Sequence, residues 1–215
     1  MIADTDHESE SQRKQAAMLS PGSEPTLTDV LDTGSVQLLM DEFYETTGIG
    51  MAIIDLQGTV HVATGWQDIC TRFHRVHPET RKHCIESDTI LSSSIKAGEH
   101  KLYRCKNNLW DMATPIVIGE RHMGNLFLGQ FFFDDEPVDR ELFRDQAHHY
   151  GFDEAAYLAA LDRVPRWAHD KVRSVFNFYT RFAGMIAQLG YSNLMLSKSL
   201  ADRDHLLKEK IYTAS

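Results

Sequence analysis

The chain has 215 residues, enough for one domain of ordinary size with appendages or for two small ones. Its 42% hydrophobic and 25% charged residues suffice for a proper core, and 31 acids against 22 bases argue against a nucleic-acid-binding surface or an anionic membrane as main partner. The charge is uneven: residues 1–26 carry −3, residues 27–165 carry −10 and residues 166–215 carry +4.

Residues 1–26 are polar and acidic with few large apolar side chains, which reads as a disordered leader and not as a signal peptide. Order begins near Leu27. In VQLLMDEFYETTG, Val36, Leu39, Met40 and Phe43 recur at helical spacing, with Ser35 placed as N-cap and Gly48 as stop. IGMAIID and TVHVAT, split by a turn at Gly58, predict a β-hairpin. DICTRFHRV is helical in pattern, and His77-Pro78 starts a further helix that runs through Cys84 and Leu91 to Gly98. HKLYRCK, MATPIVI and MGNLFLGQFFF predict three strands, with turns at Asn107-Asn108 and Gly119. Asp139 and Asp153 cap two short helices separated by Gly151. The order predicts an α+β domain: an antiparallel sheet of about five strands with helices on one face.

The last segment follows a different pattern. From Ala168 through Val172, Val175, Tyr179, Phe182, Ile186, Leu189, Asn193, Leu196, Leu200 and Arg203 to Leu207, spacings of four and three alternate, and ten of these twelve positions are apolar. The pattern predicts a long helix whose first part folds onto the domain and whose part beyond Gly190 forms a parallel dimeric coiled coil, with Asn193 at an a position setting the register. The segment reaches Ser215 with no helix-stop signal, so an effector domain is expected downstream.

Three cysteines do not make a secreted disulfide framework, and a reducing cytoplasm is their natural setting. No run approaches the ~20 apolar residues of a membrane span. Cys70, Cys84 and Cys105 match no zinc-finger spacing. They read either as small buried hydrophobes or as one wall of a pocket. Cys70 and His74 lie four apart on one helical face. With Cys84 and Cys105 they could complete four soft ligands for zinc or an iron–sulfur cluster. No phosphate-binding loop, dinucleotide fingerprint, nucleophile elbow or HExxH appears, so nothing marks an enzyme.

Gln130 is a polar amide inside an apolar strand and needs a partner if buried. Strict alternation places it on one face with Leu128 and Phe132, and Phe127, Phe131 and Phe133 on the other. Gly129 beside it permits a bulge or a close approach.

Tyr103, Cys105, Leu109, Pro115, Ile116, Gly124, Leu126, Gly129 and Gln130, with the upstream hairpin, resemble the PocR sensory domain, a PAS-like ligand-binding module of signalling proteins. The resemblance covers roughly residues 35–190; Asn108 stands where the family often has glycine. It implies sensing of a small hydrocarbon derivative such as a diol. On that reading the ligand sits against Cys70, Cys84, Tyr103, Cys105, Trp110, Met112 and Gln130. The chain divides into a leader (1–26), a sensory domain (27–190) and a coiled-coil connector (191–215). The partners expected are a small molecule, a second copy through the C-terminal helix, and an effector of histidine-kinase, cyclase or transcription type, as in two-component systems. A cysteine-held metal, iron–sulfur or redox sensor on the same fold stands as the alternative.

Overall fold

The computed structural model describes residues 25–213, so the predicted leader falls outside the described residues up to position 24. Two helices open the domain, α1 (Leu27–Val30) and α2 (Thr33–Thr47). The N-cap of α2 is Asp32, not Ser35: its carboxylate accepts the Ser35 N–H at 3.1 Å, so the helix starts earlier than predicted. Gly48 ends it in the left-handed conformation, as the sequence predicts. Met40 is buried, whereas Leu38 and Leu39 are exposed.

β1 (Met51–Asp55) and β2 (Val60–Thr64) form the predicted hairpin. Asp55 shapes its turn by accepting the backbone N–H groups of Gln57 and Thr59. The two predicted helices that follow are more irregular. A π-helical segment, Cys70–His74, precedes α3 (Pro78–Glu86), which passes directly into a second π-helical segment, Ser87–Leu91. The wider π turn redirects side chains relative to an α-helix, and such segments concentrate at functional sites.

β3 (Lys101–Arg104), β4 (Trp110–Ile118) and β5 (Arg121–Phe133) complete the antiparallel sheet in the order β2-β1-β5-β4-β3. Asn108 adopts a φ of 71° in the β3–β4 turn, so asparagine takes the left-handed position that glycine would otherwise fill. α4 (Arg140–Tyr150) and α5 (Glu154–Asp162) carry the predicted aspartate caps, Asp139 and Asp153. A two-residue strand, β6 (Arg166–Trp167), then pairs parallel with the end of β5.

The class is α+β with a PAS-like antiparallel sheet, and helices cover both faces of the sheet instead of one. Ile53, Met112, Leu126 and Leu128 pack with α1, α2 and the long helix α6 (His169–Thr213). On the opposite face Ala52, Ile54, Tyr103, Ala113 and Phe127 form a smaller cluster beside the two π-helical segments. α4 and α5 extend that side with Phe143, Tyr157 and Leu161.

A β-bulge in β5 corrects the predicted alternation. Asp111 pairs with Gly129 while the next residue, Trp110, pairs with Phe131, so Gln130 is the extra residue and takes a φ of 66°. Beyond it the strand changes parity: Leu128, Phe131 and Phe133 belong to the α6 side, while Phe127 and Phe132 belong to the other.

α6 is one continuous helix. Val172, Phe176, Tyr179, Ala183 and Ile186 are buried against the sheet. Gly190 ends this packed stretch: a Cβ there would lie 2.7 Å from Ile118 Cδ1. Past it, Met195, Leu196, Leu206, Leu207 and Ile211 are exposed. Asn193, placed by the heptad pattern in a dimer seam, instead donates its amide N–H to the Val30 carbonyl at 3.4 Å. Among the described residues no helix is long and apolar enough to cross a membrane.

Candidate functional site

On the face away from α6, a cavity opens between the sheet and the two π-helical segments. It encloses about 540 Å³ of empty space including its mouth, with about 30 Å³ open to the centre of a water molecule. A single buried water needs roughly 10–15 Å³ by that measure, so the interior suits a molecule of few atoms. β1 and β5 supply the floor through Ala52, Ile54 and Phe127, and Gly50 and Gly65 stand at its edge.

The π-helical segments contribute most of the chemistry. Cys70 and His74 come from the first, Ser87 and Asp88 from the second, and Cys84 from α3 between them. Tyr157 O–H donates to Gln146 Oε1 at 3.0 Å, so His74 donates its Nε2–H to Tyr157 at 2.6 Å, and its Nδ1 faces the Cys70 thiol at 4.0 Å. Burial, with the nearby His83 and Arg75 adding repulsion, pushes the His74 pKa down to about 3, so the ring is neutral. Arg75 pairs with Asp88 at 2.7 Å and lies 4.2 Å over the Trp66 ring, so its charge is matched on one side and stacked on the other.

The bulge delivers the opposite wall. The Gln130 side-chain oxygen accepts the Gln67 N–H at 2.5 Å, tying β5 to the segment after β2. The Gln130 backbone N–H and the Cys105 thiol both hydrogen-bond the Asp111 carboxyl. Burial holds that carboxyl well above the usual carboxylate range, with Asp88 adding repulsion. Asp111 lies directly over Gly129, where a Cβ would stand 1.5 Å from its Oδ1. A side chain at position 129 would therefore displace the Asp111 carboxyl from the cavity wall.

Of the seven side chains the sequence reading selects for a ligand, Cys70, Cys84, Cys105 and Gln130 line this one cavity. Tyr103 stands in the cluster bordering it, directly across from Asp111 on the neighbouring strand. Met112 and Trp110 lie elsewhere. Met112 alternates onto the α6 face, and Trp110 stacks edge-on against Phe133 while donating its Nε1–H to Glu136 at 2.7 Å. Arg75, Asp88, Trp66 and Asn107 are lining residues that sequence reasoning missed. Each sits in a polar-looking stretch, and no periodicity distinguishes it from a solvated face.

The metal-ligand set Cys70, His74, Cys84 and Cys105 does not close. Among the described residues no three His, Cys, Asp or Glu side chains come together in a way that could hold a metal ion. Burial raises all three thiols, Cys84 to about 11, which favours the neutral thiol form in the unliganded cavity. Asn107 donates to Cys84 Sγ at 3.2 Å, and the Leu109 N–H to Cys105 Sγ at 3.4 Å.

A sheet-floored cavity with a few convergent polar groups, in an α+β domain, is the architecture of a small-molecule-binding site. The chain matches the sensory domain found in PocR over residues 29–191, and it belongs to that family. Among solved structures it is similar to the cofactor-binding GAF domain of the nutrient sensor CodY from Clostridium difficile, at 12% identity and a TM-score of 0.30, covering 74% of this chain and 99% of that one. No curated protein matches the chain.

Proposed function

We propose that the chain is the sensory input module of a cytoplasmic signalling protein of two-component, cyclase or transcription-factor type. A small hydrocarbon derivative, a short diol for example, occupies the cavity against Cys70, Cys84, Cys105 and Gln130. The module binds and does no chemistry of its own.

The observation that supports this reading is the bulge at Gln130. On one side of it Gly129 and Gln130 line the cavity. On the other, Phe131 stacks on Trp167 at 4.8 Å and meets Phe176 of α6 edge-on. A ligand that shifts the bulge therefore pushes on α6 through two aromatic rings. Differential affinity of ~1–3 kcal/mol between two arrangements of α6 would suffice for a typical coupled response.

On this reading residues 191–215 form the connector, and two copies pair along it toward an effector domain. Leu196 and Leu207 stand 61% and 51% exposed on the part of α6 beyond the sheet. Removal of residues 191–215 is expected to weaken self-association at least tenfold, about 1.4 kcal/mol. Light scattering over a concentration series checks this, and an unchanged oligomeric state would rule out the connector as the dimer contact.

For the ligand, thermal shifts against short diols and alcohols are the test, with Gln130→Ala expected to abolish any stabilisation seen with the native chain. A Gln130→Ala protein that is folded by circular dichroism and still responds in full would refute the assignment of this cavity.

A further inference from the structure

We infer that the ligand carries an ammonium group that Asp111 and Tyr103 receive, making a short amino alcohol the class of molecule the cavity is built for. This rests on the cavity being the ligand site and narrows the chemistry of what enters it.

The first observation is the charge inventory. Two carboxyl groups, Asp88 and Asp111, line the cavity with one guanidinium, Arg75. Arg75 is committed to Asp88 at 2.7 Å and to the Trp66 ring. Asp111 is left with the Gln130 N–H and the Cys105 thiol, neither of which carries charge. One acid is unmatched, and a ligand with a single positive charge completes the balance.

The second observation is independent of the first. Tyr103 is 7% exposed, and its hydroxyl is a buried polar atom without a hydrogen-bond partner. Tyr103 and Asp111 are paired across β3 and β4, so their side chains leave the same face of the sheet as neighbours. A buried unpaired hydroxyl is a cost that a ligand removes by bonding to it. An ammonium has three N–H donors, enough to serve the carboxylate and the phenol oxygen together. A plain hydroxyl has one donor, and a carboxylate ligand would face Asp111 and Asp88 with like charge.

Asp111 is faced by Tyr103 from β3, Cys105 from the β3–β4 turn, Cys70 and Asp88 from the two π-helical segments, Cys84 from α3, and Arg75. Burial and Asp88 oppose ionisation of the Asp111 carboxyl, while Arg75, the Cys105 thiol and the Gln130 N–H favour it, so a cationic ligand supplies the counter-charge that the protein itself does not.

The experiment compares 1-aminopropan-2-ol with propane-1,2-diol on the full chain, two molecules of one shape that differ in a single polar group. Calorimetry between pH 6 and 8 is expected to show the amino alcohol binding at least tenfold more tightly. Asp111→Asn, which keeps the shape and removes the charge, should erase the preference, and Tyr103→Phe should reduce it. If the diol binds equally well or better, or Asp111→Asn leaves the preference unchanged, the ammonium assignment is overturned while the sensory role stands. If neither molecule binds, both this assignment and the short-diol reading of the cavity fail.

Discussion

Replacing Gly50 or Gly65 by alanine is expected to produce the largest loss of stability available from a single methyl group in this domain. A Cβ on Gly50 would stand 2.6 Å from the Gly65 carbonyl oxygen and 2.7 Å from that of Thr64. Both are backbone atoms in the β1–β2 hairpin, paired by register at Met51 and Thr64, and neither can rotate away. Gly65 has a φ of 66°, and its Cβ would lie 2.3 Å from the Tyr44 ring and 2.7 Å from Gly50 Cα. Relief requires opening the hairpin or lifting α2 from the sheet. Overpacking of this kind costs about 3 kcal/mol, roughly a 6–12 °C fall in Tm for a domain this size. Gly184→Ala is the control. Gly184 is exposed in α6 with nothing within 4 Å of the added methyl, so helix propensity should make that change stabilising by about 0.5–1 kcal/mol. Should Gly50→Ala melt with the native protein, the close approach described at the cavity edge is wrong.

The second large effect is acid sensitivity carried by His74. Its folded pKa is about 3 against an ordinary value of 6.5. Between those values the unfolded chain binds a proton that the folded chain refuses, so this group's contribution is complete above pH 6.5 and is lost as pH falls toward 3. The slope is about 1.4 kcal/mol per pH unit, or about 2 kcal/mol between pH 6.5 and pH 5. Asp88 and Asp111 work in the opposite direction, because their folded pKa values are raised and the folded state holds their protons. The measurement is therefore a difference: urea unfolding of the native chain and of His74→Gln at several pH values. The native chain should lose stability more steeply on acidification by about the slope above. Parallel curves for the two proteins would mean that burial does not hold His74 neutral.

How much of this was legible in the sequence varies by element. The caps Asp139 and Asp153 and the stop at Gly48 were readable because each acts within three or four residues of its own helix end. The hairpin and the three later strands were readable from alternation, and so was the length of the final helix. Gln130 stood out because an amide between LFLG and FFF has no local explanation. Its true orientation did not, since a bulge is decided by the partner strand: Asp111 pairs with Gly129 and Trp110 with Phe131, which leaves Gln130 as the extra residue. The same holds for Met112, whose face depends on that register. Leu39, counted in the buried stripe of its helix, is 51% exposed because tertiary packing chose a narrower face.

The sequence by itself determined the α+β class, the strand order along the chain, the family and the three cysteines worth watching. These depend on local periodicity, capping and a motif contained in contiguous stretches. Only the tertiary structure decided that helices cover both faces, that Arg75 is spent on Asp88, and that Asp111, without a charged partner of its own, stands beside the unpartnered hydroxyl of Tyr103. Those outcomes depend on pairings between residues far apart in the chain, and burial, charge balance and hydrogen-bond satisfaction have no value until such pairs are brought together.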